Sequence, residues 1–109
     1  MTQAWKAGEV FALHDQISYE KGKAVKKVVE EGTAMKLILV AIEESELPTH
    51  AAPMNALVTV LDGKGTLTYL GKQYTLHKGD SFIFNKGDQH AVKADKKIKF
   101  SLLLWEPAQ

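Results

Sequence analysis

Glycine-centred turn signals divide the sequence into short segments, and this division constrains the fold more than any other feature. Asp62-Gly63, Gly71-Lys72 and two Lys-Gly-Asp triplets, at 78–80 and 86–88, separate segments that are apolar or alternate between apolar and polar residues. Short, closely spaced segments of this kind are typical of β-strands, and no long segment repeats apolar residues at the helical spacing of three to four. The sequence therefore predicts an all-β fold, either a sandwich or a barrel.

Nine strand candidates follow from this division. They are 10–13, 25–31, 35–43, 57–61, 65–70, 72–76, 81–84, 90–94 and 98–105. Gly63 and Gly71 are expected to supply the positive φ of tight hairpin turns, so that 57–76 would form a meander. Val25, Val28 and Val29 do not alternate strictly, which leaves an amphipathic helix open. The valines and the following glycine favour an edge strand instead.

Composition excludes several classes of protein. The length of 109 residues fits one domain, and a formal net charge of +1 offers no basic surface for nucleic acid. The longest apolar run, 37–42, is far shorter than the roughly 20 residues that span a bilayer, so no membrane partner is expected. Cysteine is absent, so a metal would have to bind histidine, carboxylate or carbonyl groups. The first ten residues lack the basic flank and apolar core of a secretory signal, which predicts a cytoplasmic location.

The segment 60–92, VLDGKGTLTYLGKQYTLHKGDSFIFNKGDQHAV, resembles the conserved barrel of the cupin superfamily. Cupins carry two motifs, G-x5-H-x-H-x3,4-E-x6-G and G-x5-P-x-G-x2-H-x3-N. The second motif aligns through Gly79, Gly87 and His90. Asn85 stands in place of its proline, and Ala94 in place of its closing asparagine. The likeness is strong for the fold and weak for the chemistry, because one fold hosts many functions.

The first cupin motif is incomplete in this chain. Counting back from Gly63 places its two histidines at His50 and Ala52 and its glutamate at Ala56. In cupins with a complete site, these three residues and the later histidine hold an iron, manganese, nickel or zinc ion.

The resemblance covers 37–105 and implies a small RmlC-like cupin (cupin-2 conserved barrel) with degenerate metal motifs. Its fold would be a double-stranded β-helix, or jelly roll, with few or no helices. Strands within 10–31 would precede the barrel in a single domain, 1–109.

His50 and His90 are the candidate metal ligands. His90 shares one face of its predicted strand with Val92 and Ala94, which places it in the barrel interior, where a polar ring needs a partner. The two imidazoles would bind one divalent ion (Zn, Ni, Fe or Mn) with water in the remaining positions. Catalytic zinc and iron sites use three protein ligands, however. The alternative is a pair of interior histidines that contact each other through water or bind an anion.

The predicted ligand pocket contains His50, Met54, Asn55 and His90. Asn55 lies one residue from the missing glutamate and carries an amide oxygen, which is a weak metal ligand. The sequence favours a cupin domain that binds a small molecule without a fully formed metal site. The alternative is a metal-dependent oxygenase or isomerase that uses the two histidines, and a third hypothesis is a scaffold with a filled barrel. No catalytic residue is assigned, since the sequence contains no Gly-x-Ser-x-Gly elbow and no phosphate-binding glycine loop.

The last predicted strand, 98–105, carries apolar residues on both faces. Such a strand needs cover on each side, and a second subunit is one source of that cover. The sequence therefore predicts a homodimer. His14 and His77 have no comparable setting and are expected at the surface.

Overall fold

The computed structural model describes residues 5–107 and consists almost entirely of β-strands. A 3₁₀ helix, Leu13–Gln16, precedes seven strands: β1 Lys23–Glu31, β2 Met35–Glu43, β3 Glu46–Ala51, β4 Asn55–Tyr69, β5 Lys72–His77, β6 Ser81–Phe84 and β7 Gln89–Trp105. The prediction of an all-β fold with few or no helices is confirmed. Within the described residues, no helix is long and apolar enough to cross a membrane.

Two long antiparallel strands, β4 and β7, organise the fold. They pair with each other along most of their length. The first half of β7 also pairs with β3, and its second half with β2, which in turn pairs with β1. The first half of β4 pairs with β6 and its second half with β5. Two sheets therefore share the long strands, and this arrangement is the predicted double-stranded β-helix.

The predicted hairpin turn at Gly63 is wrong, because β4 continues through this glycine. Its pairing with β7 shifts register between Val60 and Asp62 and again between Gly63 and Gly65. A Cβ atom on Gly63 would lie 2.0 Å from the carbonyl oxygen of Lys97, and one on Gly65 would lie 2.5 Å from that of Lys93. The two glycines thus allow close contact between backbones at a bend, as they do in β-bulges. Segments 57–61 and 65–70 form one strand, and so do 90–94 and 98–105.

The other glycine turns are confirmed. Gly71, Gly79 and Gly87 have φ values of 83°, 92° and 91°, in the region that favours glycine. The two Lys-Gly-Asp turns have the same hydrogen bonds. Asp80 accepts the His77 N–H at 2.7 Å, and Asp88 accepts the Asn85 N–H at 2.9 Å. Each aspartate therefore closes its own turn with its carboxylate.

The predicted and observed strands differ in two further places. Segment 10–13 is not a strand, because residues 9–12 have no regular structure and Leu13 begins the 3₁₀ helix. Strand β3 is missing from the prediction because Pro48 lies within it and Pro53 follows it. Proline is tolerated there because β3 is an edge strand that pairs only with β7 among the described strands. The edge strand predicted at 25–31 is confirmed as part of β1.

The irregular valines of β1 have a structural cause. The register against β2 shifts between Val28 and Glu30, so Val29 is an extra residue in a bulge. Strand alternation is interrupted there, and Val29 is buried although Val28 is half exposed. This bulge changes which side chains of β1 face the barrel interior.

The principal core lies between the two sheets, and a smaller one lies outside them. Val40, Ile42, Val58, Phe84 and Phe100 are central to the first. The second covers the outer face of β2, where Leu39 and Ala41 pack with Ile17 of the N-terminal segment. A hydrogen bond of 2.7 Å from the Tyr19 hydroxyl to Asp62 joins this segment to the bend of β4. An open region borders the inner core at the β3 end of the barrel.

Candidate functional site

A cavity of about 400 Å³ opens where β3 pairs with the beginning of β7. Its wall is mainly apolar and includes Ile38, Ala52, Met54, Ala56, Phe84 and Leu102. Two histidines, His50 and His90, and three charged residues, Lys26, Glu31 and Lys36, complete the polar part of the wall. An apolar cavity of this size with a few converging polar groups is typical of small-molecule sites.

The two histidines occupy directly opposite positions on neighbouring strands. His50 of β3 pairs with His90 of β7, and their ring centroids lie 4.3 Å apart at an angle of 59°. His90 is 8% exposed and stacks on Phe84 at 4.0 Å, whereas His50 lies exposed on the edge strand. Strand pairing therefore brings together two residues that are 40 positions apart in the sequence.

Backbone contacts indicate which nitrogen of each ring carries the hydrogen. The Nδ1 atom of His50 lies 2.9 Å from the carbonyl oxygen of Pro48, and that of His90 lies 3.2 Å from the carbonyl oxygen of Asp88. A carbonyl oxygen only accepts hydrogen bonds, so each Nδ1 carries the hydrogen. In the neutral rings, both Nε2 atoms then keep a lone pair that accepts a hydrogen bond or binds a metal.

Asp88 contacts the Nδ1 atom of His90 and links it to two other parts of the fold. Its carbonyl oxygen accepts hydrogen bonds from His90 and from the Ala52 N–H, the latter at 3.0 Å. Its carboxylate accepts a very short hydrogen bond from the Tyr69 hydroxyl as well as the turn bond from Asn85. The Tyr69 hydrogen bond is the main reason why the pKa of Asp88 is lowered and that of Tyr69 is raised. Asp88 therefore joins the turn, the end of β4 and the buried histidine.

The side chains around the histidine pair do not complete a metal site. Ala52 and Ala56, both buried, line the same cavity and have no ligand atoms. No group of three histidine, aspartate or glutamate side chains in residues 5–107 is arranged to hold a metal ion. The part of the chain that the structure describes thus offers two imidazole nitrogens here, one fewer than the protein ligands that catalytic zinc or facial iron sites use.

The model of the Cupin domain family matches residues 36–106 of this chain. The chain belongs to the cupin family. The resemblance inferred from Gly79, Gly87 and His90 is thereby confirmed. The match includes both long strands, the histidine pair and the apolar cavity wall, whereas Lys26 and Glu31 of the cavity lie before it.

Three similar proteins are either uncharacterized or named for the cupin domain alone. An uncharacterized protein of Aquifex aeolicus (strain VF5) is 33% identical over 70 residues, which cover 64% of this chain and 58% of that protein. The cupin 2 conserved barrel domain protein from Leptotrichia buccalis is 32% identical with a TM-score of 0.83, over 88% of this chain and 47% of that one. A conserved protein of unknown function from Streptococcus pyogenes has a TM-score of 0.88 at 19% identity, over 97% and 94% of the two chains. This chain therefore matches little more than half the length of the first relative and about half of the second.

Three of the four predicted pocket residues lie together in this cupin. His50, Met54 and His90 line the cavity, and His90 is buried as predicted. Asn55 is not among the lining residues, because its side-chain oxygen accepts the Lys86 N–H at 2.8 Å. The amide thus holds the second Lys-Gly-Asp turn against the start of β4.

Sequence reasoning missed the charged residues of the cavity, Lys26, Glu31 and Lys36. The bulge at Val29 hides the alternation that would have placed Lys26 and Glu31 on the inner face of β1. Sequence reasoning also missed Asp88, for which the sequence contained one signal. Asp88 belongs to a Lys-Gly-Asp triplet that occurs twice, but only the copy at 86–88 precedes a buried histidine.

The protein is expected to lose stability in mild acid because of His90. Burial lowers the pKa of His90 below its usual value of 6.5, and the charges of His50 and Lys26 lower it further. The unfolded chain then binds a proton more readily than the folded one, so stability falls as the pH decreases below about 6.5. Between about pH 7 and pH 5, the free energy of unfolding in urea should fall more for the wild type than for His90→Phe. His77→Phe, which changes an exposed ring, should follow the wild type, and a His90→Phe difference that does not change with pH would contradict the prediction.

Proposed function

We propose that this cupin binds a small organic molecule in the cavity beside His50 and His90. The observation that carries the proposal is the orientation of the two rings, each held through Nδ1 by a backbone carbonyl. Their Nε2 atoms accept hydrogen bonds from a hydroxyl or amino group of the ligand. The apolar wall, including Phe84 and Leu102, surrounds the rest of the molecule.

The size of the cavity supports binding over a purely structural role. A volume of about 400 Å³ lies in the range of small-molecule pockets, which is roughly 300–1,000 Å³. A scaffold with a filled barrel would place large side chains there. Small residues, Ala51, Ala52 and Ala56, line this part of the wall instead.

A fragment screen by ligand-observed NMR tests the proposal. His90→Phe keeps an aromatic ring beside Phe84 but removes Nε2. His50→Phe likewise keeps an aromatic ring on β3 and removes Nε2. We expect each variant to bind the hits about tenfold more weakly, the effect of losing one well-placed hydrogen bond in a partly buried site. His77→Phe is the matched control and should bind like the wild type. Hits that bind both cavity variants with wild-type affinity would disprove the site.

A two-histidine metalloenzyme is the second candidate function. It is favoured by one observation, the contact of each Nδ1 atom with a backbone carbonyl oxygen, on two rings whose centroids are 4.3 Å apart. These contacts leave both Nε2 atoms of the neutral rings free to bind a metal. His50 and His90 would hold a divalent zinc, nickel, iron or manganese ion, with water or substrate as further ligands. Such an ion would polarise an oxygen of the substrate. Metal analysis of untagged protein decides between the candidates, since near one equivalent that is lost in His50→Ala and His90→Ala would favour the enzyme.

We also propose that the protein forms a homodimer through the outer face of the sheet formed by β1, β2, β6 and the halves of β4 and β7 that pair with them. Leu37, Leu103, Leu57 and Ile83 occupy opposite positions on four adjacent strands, and Met35 and Trp105 flank this row. Ile83 is 56% exposed and Met35 is 46% exposed, whereas Leu37 packs against the outer core, so the row lacks complete cover from residues 5–107. The same apolar row on a second copy would supply it. A cytoplasmic location likewise stays a prediction from the sequence.

Analytical ultracentrifugation tests the dimer. The wild type is expected to sediment as a dimer, and Ile83→Glu should convert it to a monomer because a charge in an apolar interface is costly. Leu70→Glu changes a different exposed apolar residue, which lies in the β4–β5 turn, and should leave the dimer intact. A monomeric wild type at micromolar concentration would disprove the proposal.

A further inference from the structure

The charged residues of the cavity lie at its edge, where Lys26 and Glu31 are exposed and Lys36 is half-buried, on an otherwise apolar side of β1 and β2. Lys26 lies directly opposite Val40, a fully buried core residue, and side chains at opposite positions share one face of a sheet. Lys36 lies two positions from Ile38, which packs against the same core, and pairs with Glu31. All three charges therefore border the interior of the barrel, at the end where the histidines lie.

One of these charges has no counter-ion among residues 5–107. Lys36 and Glu31 form an ion pair at 3.5 Å, which leaves little net charge on that side of the cavity. Lys26 forms no ion pair with a carboxylate of residues 5–107. The charge of Lys26 also reaches His90, since it contributes to the lowered pKa of that ring. The cavity thus has an unpaired ammonium group on one wall and hydrogen-bond acceptors on another.

We propose that the ligand class of this cavity is a small monocarboxylate with an apolar body and a hydroxyl or amino group. Its carboxylate pairs with Lys26, its body lies against the apolar wall, and its donor group contacts the Nε2 atoms of His50 and His90. This inference rests on the proposed binding function and adds the charge of the ligand to it.

A single negative charge fits the wall better than a phosphate does. All 14 basic residues of the chain are lysines, so no guanidinium group is present to bind two phosphate oxygens at once. The cavity offers one unpaired lysine, whereas a phosphate group carries nearly two charges at neutral pH. The remaining wall is largely apolar, which favours an organic acid over an inorganic anion.

Three probes of the same shape and different charge test the inference. They are 4-hydroxyphenylacetate, its amide 4-hydroxyphenylacetamide, and tyramine, which is cationic. Affinities are measured by titration calorimetry for the wild type, Lys26→Met, Lys26→Glu and His90→Phe. Lys27→Met is the matched control, because Lys27 is the next residue on the same strand and lies opposite Leu39 of the outer core.

We expect the wild type to bind the carboxylate about tenfold or more tightly than the amide, and tyramine most weakly, since one partly exposed charge pair has roughly that effect. Lys26→Met should remove the preference, and Lys26→Glu should reverse it in favour of tyramine. Lys27→Met should keep the wild-type order. His90→Phe should weaken all three probes to a similar extent.

Two results would overturn the inference, and they differ in what they say about the proposed function. If the three probes bind equally well in the wild type and lose affinity in His90→Phe, the site binds ligands but does not select an anion. The anion preference also fails if the only effect of Lys26→Met is increased self-association. Lysines on edge strands also prevent strand pairing between molecules, which would then explain Lys26. If none of the probes binds the wild type at millimolar concentration, both the ligand class and the proposed binding function fail.

Discussion

Replacing Gly63 by alanine is expected to lower the free energy of unfolding by about 3 kcal/mol or more. The φ of Gly63 is 72°, a conformation that costs an L-residue roughly 1–2 kcal/mol. A Cβ atom would also lie 2.0 Å from the Lys97 carbonyl oxygen, and relieving this overlap in a packed structure costs roughly 1–3 kcal/mol. The carbonyl belongs to the paired strand β7, so it moves only if the pairing of the two long strands is disturbed.

Gly79→Ala is the matched control for this prediction. Gly79 has an even larger positive φ of 92°, but a Cβ atom there would meet no atom of residues 5–107 within 4 Å, its chain neighbours aside. Only the conformational cost of about 1–2 kcal/mol remains. Urea unfolding of the two variants should therefore separate the effect of close backbone contact from that of positive φ. Equal losses of stability would show that the bend of β4 tolerates a side chain.

Replacing Asp88 by alanine is expected to weaken ligand binding about tenfold and to destabilise the turn at 86–88. The substitution removes the carboxylate that accepts hydrogen bonds from Tyr69 and Asn85. The Asp88 carbonyl oxygen, which holds the Nδ1 atom of His90, then loses its fixed position. Groups that hold the far nitrogen of a ligating histidine typically contribute about tenfold or more to affinity, because they define ring orientation.

Asp80→Ala distinguishes this positioning role from turn formation alone. Asp80 closes an equivalent turn by accepting the His77 N–H. Within residues 5–107, however, Asp80 accepts no hydrogen bond from a tyrosine hydroxyl. Both variants should lower the unfolding temperature, whereas only Asp88→Ala should change ligand affinity and the nitrogen chemical shifts of the His90 ring. Tyr69→Phe should reproduce part of the effect of Asp88→Ala. Identical binding in the Asp88 and Asp80 variants would contradict the prediction.

The role of Asp88 illustrates how far local sequence signals extend. The two Lys-Gly-Asp triplets predict two similar turns, and the structure contains them. Their difference depends on Tyr69, which lies opposite His90 on β4 and 19 positions before Asp88 in the chain. A turn forms from neighbouring residues, but a partner at that distance is set by strand register.

The sequence by itself determined the all-β class, most strands, the cupin resemblance and the inward position of His90. These features depend on local information, namely glycine at positive φ, strand alternation and residue spacing. Only the tertiary structure decided that β4 and β7 continue through their bends, that His50 lies opposite His90, and that Lys26 borders the same cavity. Each of these depends on register across strands and on bulges at Val29 and Leu61, where one extra residue changes the face on which the following side chains lie.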